Sequence, residues 1–521
     1  MDKPFWQNPI WHIVALGLLT LATRLPFRSQ ILFNWDSVNF ALGILDFDVV
    51  KHRPHPPGYI LYIGLTRGVT WLTGDPAISL VWLSIGAGMV WVCLIYLLGR
   101  CLGGPADAFS SALLLLTSPM VWFYNEIAST YTLEGFFSTA IAYACYQVLS
   151  GSTRWAYLNA GLLGLAGGFR QTTLIFMLPL TLYAMTRLPW RHWLGAGALT
   201  VSICLGWGLT LLAQSGGLEA YLAALRQLMA MATAPSPLVD LVAPLFYGAH
   251  LTLLLLPGYW LGLYPASSRG AHPTWERWFV LLWIGPGLMF IAWQHVGQSG
   301  YLLFVLPAIF IYTPGLLRGA LERLQTLRPG SNTRSQATIE QKMILTTLTL
   351  ALLASAAFVV VGHQLIQIQD DFWQPALRLS DRYAPSQTVV LTKLARGRGF
   401  RHASYYLPDY PVYAFVTAQL ESPVAVTGPG LAGWIFQSHR GEDNYDLNPA
   451  HHRLYTRLDL PPAAMGLLVT DRQLIPTLST LGGDRQPLNP AVTHLAGGLI
   501  YVDLPAGAEQ LVVSDGQLEV R

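Results

Sequence analysis

Residues 34–59, NWDSVNFALGILDFDVVKHRPHPPGY, form a polar interval directly after an apolar N-terminal run. The interval carries an acid, Asp36, near one end and a basic cluster, Lys51, His52, Arg53 and His55, near the other. Nearly everything around it reads as membrane, so the pattern points to a site at a bilayer surface. A proton acceptor facing a phosphate suits that combination of groups. Asp36 is a candidate general base, whose carboxylate would take a proton from an attacking hydroxyl or amine. The plainer alternative is that Asp36 caps the helix beginning around Ser-Val-Asn-Phe. Asp46 and Asp48 are the rival acids and fall in a turn-like setting after that helix.

The composition sets the class. Of 521 residues, 53% are hydrophobic and 11% charged, with a mean hydropathy of +0.41. A soluble domain carries about 25% charged residues, so this is a polytopic membrane composition. A net charge of +3 without a Lys/Arg-rich tract argues against nucleic acid as a partner. Cys93, Cys101, Cys145 and Cys204 sit in or beside apolar segments without metal-ligand spacing, which argues against a disulfide framework and a structural zinc site. Lys3 precedes the apolar run from Ile10 to Phe27 with no small-residue cleavage site after it, so that run is read as a retained first span.

Candidate spans are 10–27, 77–99, 106–123, 132–150, 156–169, 173–187, 193–213, 238–262, 278–295, 301–317 and 343–363, giving about eleven crossings. With the N-terminus inside, Lys3, Arg100, Arg154, Arg187, Arg191, Arg269, Arg277, Arg318, Arg323, Arg328, Arg334 and Lys342 fall on the inner side, whereas beyond the first loop only Arg170 and Arg226 fall outside. The segment 57–73, interrupted by Arg67, is expected to lie on the surface as an amphipathic helix. The pair 156–169 and 173–187 is expected as two short helices around Arg170 and Gln171. Residues 318–342 read as a basic cytoplasmic linker. After His363 short strand-like runs alternate with turn residues, predicting an extracytoplasmic α/β or α+β domain over 364–521 behind a membrane module over 1–363, whose first outer loop is 28–76.

The adjacent prolines at 56 and 57 predict an extended, stiff stem that holds the basic groups just ahead of it toward an anion. Lys51 and Arg53 have a plainer use too, as juxtamembrane cations on lipid headgroups. The second outer loop, 124–134, adds Glu126, Tyr131 and Glu134; Glu134 in particular fits a helix cap or contact with water. Arg170 stands among Gly167, Gly168 and Phe169 and needs an anionic partner or an aqueous cavity. A phosphate meets that need, and Glu126 is the candidate structural partner. Gln298 and Tyr301 lie on the same predicted face.

The acid in the first outer loop, the basic residue before Pro-Pro, the following interfacial helix and the many spans resemble the membrane glycosyltransferases of the GT-C fold. That group uses polyprenyl-phosphate sugars and includes the protein O-mannosyltransferases and the lipid A aminoarabinose transferase. His55-Pro56-Pro57-Gly58-Tyr59 is most similar to the His-Pro-Pro signature of the mannosyltransferase-like branch. The resemblance implies Asp36 as catalytic base, with Glu126 as a second acid. It implies Lys51, Arg53, His55 and Arg170 around the donor phosphate, and His52, Tyr59, Tyr131, Gln298 and Tyr301 as substrate contacts. Ser37 and Asn39 depart from the family's pattern, which leaves the acceptor class open. The run Tyr405-Tyr406-Leu407-Pro408-Asp409-Tyr410 is similar to tails of related bacterial proteins and takes no role at this point.

The implied reaction is inverting transfer of a sugar from a polyprenyl-phosphate carrier to a protein, glycan or lipid acceptor on the outer face of the plasma membrane. Charge building on the departing phosphate calls for cations, and one base is enough because the leaving phosphate scarcely needs an acid. No cofactor is required. A divalent metal would need Asp36 and Glu126 to converge, and the sequence supplies no further ligands. Two other readings remain: a transporter or flippase for a lipid-linked or anionic solute, which predicts repeats and broken helices at the midplane, although no repeat is visible in the sequence, and an inactive envelope-assembly subunit.

Overall fold

The computed structural model describes residues 8–232, 275–293, 299–326, 336–392, 399–417, 433–438, 457–480, 486–487, 492–495, 498–514 and 517–521. In chain order the helices are α1 (Pro9–Arg24), α2 (Trp35–Leu45), α3 (Ile60–Thr73), α4 (Pro76–Leu102), α5 (Pro105–Thr117), α6 (Pro119–Glu126), α7 (Tyr131–Leu149), α8 (Arg154–Phe169), α9 (Gln171–Met185) and α10 (Trp190–Gln214). They continue with α11 (Leu218–Ala232), α12 (Trp275–Trp293), α13 (Leu306–Thr326), α14 (Gln336–Ala357), α15 (His363–Ala376) and α16 (Phe400–Tyr406). The chain divides into two compact units, 1–28 with 59–213 and 235–364, and 29–58 with 214–234 and 365–521. The sequence grouped the first outer loop with the membrane module; by contacts, 29–58 joins the residues after 364.

Proline at the first turn starts α4, α5 and α6, where its missing N–H costs nothing. Asp75 caps α4, its Oδ1 accepting from the N–H groups of Ala77 (2.6 Å) and Ile78 (3.1 Å). Within the helical unit, small residues let backbones approach as they do in membrane bundles. A Cβ on Gly99 would lie 2.9 Å from the Cα of Ala108, and one on Gly135 would strike the Trp91 ring at 2.4 Å. Buried polar groups pair across helices, Trp91 Nε1 donating to Thr139 Oγ1 (2.8 Å) and Trp283 Nε1 to Ser138 Oγ (2.7 Å).

A helix lies at ten of the eleven expected spans, and 238–262 lies outside the described residues. Length and apolarity are more selective. Among the described residues four helices are long and apolar enough to cross a membrane, namely 9–27, 76–102, 190–214 and 339–376, or five if α5 and α6, bent by 58°, form one broken span. These helices make the chain a membrane protein. Of residues 57–73, Ile60–Thr73 form α3, with Trp71 and Leu72 exposed, and Arg170 breaks α8 from α9 with extended φ and ψ of −158° and 110°. The linker is shorter than expected, because Arg318 lies inside α13 and pairs with the buried Asp107 of α5.

The second unit holds a six-stranded mixed sheet ordered β3-β2-β1-β5-β9-β8 and a five-stranded sheet ordered β4-β10-β11-β6-β7. The strands are β1 (Thr388–Thr392), β2 (Val412–Thr417), β3 (Gly433–Ser438), β4 (Arg457–Asp459), β5 (Gly466–Val469), β6 (Leu478–Thr480), β7 (Gln486–Pro487), β8 (Val492–His494), β9 (Ile500–Asp503), β10 (Gln510–Ser514) and β11 (Gln517–Val520). Strand β1 runs parallel to both β2 and β5 and is buried along its length, which explains its continuous apolar sequence. Val389, Leu391, Phe415 and Val502 of one sheet share a core with Leu511, Leu518 and Val520 of the other.

Candidate active site

The first outer loop is built around α2. Asn34, in extended conformation, caps the helix, and its Oδ1 accepts from Ser37 N–H (2.9 Å) and Ser37 Oγ (2.8 Å). The capping task open to Asp36 therefore belongs to Asn34. Asp36 lies in the first turn with its side chain 46% exposed, and its Oδ1 is 3.7 Å from Nδ1 of the largely buried His55.

The helix face bearing Asp36, Phe40 and Gly43 is what brings His55 there, since these positions fall at i, i+4 and i+7. The Phe40 ring is tilted against His55 at 5.5 Å. A Cβ on Gly43 would lie 2.7 Å from Pro54 Cδ, so only glycine allows this approach. The proline run turns where the sequence predicted an extended stem: Gly58 N–H donates to the His55 carbonyl at 3.1 Å, and the peptides before Pro54 and Pro57 are cis. From the other side Tyr221 of α11 donates its hydroxyl to the Pro57 carbonyl at 3.2 Å. His52 (φ 56°) and Tyr59 (φ 46°) bracket the segment in the left-handed region, which costs about 1–3 kcal/mol at a non-glycine residue and clusters at functional sites.

The remaining charges of the loop meet one another. Arg53 Nη1 is 3.0 Å from Asp46 Oδ2, and Lys51 Nζ is 3.5 Å from Asp48 Oδ2. Asp48 and Arg53 also exchange backbone hydrogen bonds at 2.7 and 2.8 Å, closing a short hairpin. The two rival acids are thus engaged by Lys51 and Arg53, whereas Asp36 faces His55. Asn39, buried one turn beyond Asp36, has an amide that meets no hydrogen-bond partner among the described residues.

Tyr59, Glu126, Tyr131, Arg170 and Tyr301 belong to the helical unit, and Gln298 lies outside the described residues. Arg170 is buried, and its Nε is 3.0 Å from Oε2 of the fully buried Glu134. Its Nη1 donates to Thr130 Oγ1 at 2.7 Å, and its guanidinium lies 4.3 Å and 4.6 Å from the ring centroids of Tyr131 and Tyr301. The anionic partner that Arg170 needed is therefore Glu134, which the sequence assigned to a cap or to water. Glu126 is also buried, and it accepts from Trp122 Nε1 while Arg24 covers the Trp122 ring. Neither role was legible in sequence, because it depends on which helices become neighbours. Among the described residues no cluster of three or more His, Cys, Asp or Glu is placed to hold a metal ion.

Residues 54–215 match the family model of dolichyl-phosphate-mannose-protein mannosyltransferase. ArnT from Cupriavidus metallidurans bound to undecaprenyl phosphate superposes with a TM-score of 0.57 at 13% identity, over 96% of this chain and 98% of that one. The fold is GT-C. The apo structure of the same ArnT agrees, with a TM-score of 0.54 at 13% identity over 95% and 97% of the two chains. No curated protein matches the chain in sequence. The family-model match takes in His55, Tyr59, Glu126, Tyr131 and Arg170, while Asp36, Lys51, His52 and Arg53 precede its start.

Proposed function

We propose that the chain is an inverting GT-C glycosyltransferase that moves a sugar from a polyprenyl-phosphate carrier to an acceptor on the extracytoplasmic face of the plasma membrane. Asp36 takes the proton from the acceptor hydroxyl as its oxygen attacks the anomeric carbon. The bond from that carbon to the phosphate oxygen breaks, and the polyprenyl phosphate leaves with the electron pair. Attack opposite the leaving group inverts the anomer. His55 offsets charge on the departing phosphate, and a preorganised donor is worth most where such charge develops. Arg170 keeps its expected role toward a donor phosphate as part of this proposal.

The observation that carries the reading is the state of Asp36. Asn34 caps the helix, Arg53 and Lys51 engage the other two acids, and a half-exposed carboxylate remains 3.7 Å from a histidine. Support also comes from the mannosyltransferase family match over 54–215 and from the fold shared with ArnT, whose structure holds undecaprenyl phosphate. Asn39 offers a buried amide beside the base, suited to an acceptor hydroxyl or a water. The test is sugar transfer by the purified protein in lipid nanodiscs, using a panel of polyprenyl-phosphate hexoses and pentoses. Release of polyprenyl phosphate that depends on Asp36 supports the reading. Equal release by Asp36→Asn and the parent overturns it.

A further inference from the structure

The run from Phe400 to Tyr406, FRHASYY, is spent on the first outer loop. His402 and Tyr406 stand one turn apart on α16 and together take both backbone groups of Leu32: Tyr406 Oη accepts from Leu32 N–H at 2.6 Å, and His402 Nε2 donates to the Leu32 carbonyl at 3.0 Å. Trp35, the neighbour of Asp36, meets the Phe400 ring edge-on at 5.0 Å and the Arg401 guanidinium at 5.2 Å. That guanidinium is fully buried, and its Nη2 reaches the Lys51 carbonyl at 3.5 Å. A third anchor comes from α15, where the Asp370 carboxylate accepts from the backbone N–H groups of Gln30 and Ile31 at 3.0 Å. Trp373 of the same helix stacks on His402 at 5.8 Å.

One seven-residue helix therefore touches the loop on both sides of α2, at Leu32 and Trp35 before the acid and at Lys51 before His55. We propose that α16 of the C-terminal domain is a positioning clamp that sets the Asp36–His55 geometry, with Arg401, His402 and Tyr406 as positioning residues. This rests on the reading of Asp36 as the base. A surface helix with no such duty has no need to spend a fully buried arginine and a buried histidine on main-chain carbonyls of a distant loop, where unpaired polar groups are costly.

The test uses the full-length protein in nanodiscs and two readouts. Hydrogen–deuterium exchange over residues 29–36 should rise at least tenfold in Tyr406→Phe, which removes the acceptor for Leu32 N–H, and in Arg401→Lys. In transfer assays with the polyprenyl-phosphate sugar selected from the panel above, both variants should lose at least tenfold in kcat with donor KM within about twofold. His402→Gln keeps a donor for the Leu32 carbonyl and should retain more turnover than His402→Leu. Parental kcat in Tyr406→Phe and Arg401→Lys, or parental exchange over 29–36, overturns the clamp even where Asp36→Asn is inactive. Full activity of Asp36→Asn instead removes the reading on which the clamp rests, and the exchange data then report only on how the loop is held.

Discussion

The Asp36 carboxylate and the His55 imidazole face each other at 3.7 Å because Gly43, two turns along the same helix, lets the backbone at Pro54 come into contact with α2. The two residues of this pair come from opposite ends of a loop whose other charges are already matched. A general base contributes about 100- to 10,000-fold. Asp36→Asn is therefore expected to lower kcat by that range, with an unchanged melting temperature and an unchanged affinity for undecaprenyl phosphate. Steady-state kinetics with binding measured in parallel check it; a stable variant with parental kcat contradicts the assignment.

His55→Ala should act on the donor side. Hydrogen bonds to charged groups are worth about 1.5–3 kcal/mol, so the donor KM should rise roughly 10- to 100-fold, while His55→Gln, which keeps a donor, should lose less. Equal kinetics for the two variants would return His55 to a packing role against Phe40.

Gly43→Ala places a methyl 2.7 Å from Pro54 Cδ and 2.8 Å from its backbone nitrogen. Overpacking costs about 1–3 kcal/mol. The larger effect should be on turnover, because the displaced element carries His55. Thermal unfolding and kcat measured on one preparation separate the two. A parental kcat would mean that the His55 spacing is not critical.

Breaking the buried pair of Arg170 and Glu134 should be expensive from one side only. Removal of a single partner leaves a charge buried and unpaired, at about 3–5 kcal/mol. Glu134→Ala is expected to destabilise by that amount, and Glu134→Ala with Arg170→Leu should recover part of it. Arg170→Lys should not substitute, since an ammonium cannot make the flat contacts to Tyr131 and Tyr301. Melting temperatures of the parent, Glu134→Ala, Arg170→Leu, their double variant and Arg170→Lys in one detergent decide it, and additive single effects would argue against the pair.

Acid should loosen the grip on Leu32. Burial pushes His402 down to about 4, and its Nδ1 meets no hydrogen-bond partner among the described residues, so the ring is held neutral. The unfolded chain binds a proton there near pH 6.5 and the folded protein near 4. Stability from the neutral ring is thus complete above 6.5 and lost as pH falls toward 4, with a ceiling of ~3 kcal/mol. Melting temperature followed from pH 7 to pH 4 should fall more steeply in the parent than in His402→Gln. Parallel curves would exclude His402 as the titrating group.

Apolar runs separated by short polar breaks determined by themselves that this chain is a bundle of membrane helices, since each 15- to 27-residue run carries its own hydrogen bonds and its own hydrophobicity. The break at Arg170, the helix at 60–73 and the strands after 387 were legible for the same local reason, and Asp36 and His55 stood out as candidates because their residue types contrast with an apolar background. Pairings were not legible. That Arg170 takes Glu134 and not Glu126, that Lys51 and Arg53 engage Asp48 and Asp46, and that FRHASYY grips Leu32 from 370 residues away are contacts between side chains whose sequence separation carries no information about distance. Charge and hydropathy are properties of single residues and can be read in order; which charge meets which is settled only when the helices and sheets have packed.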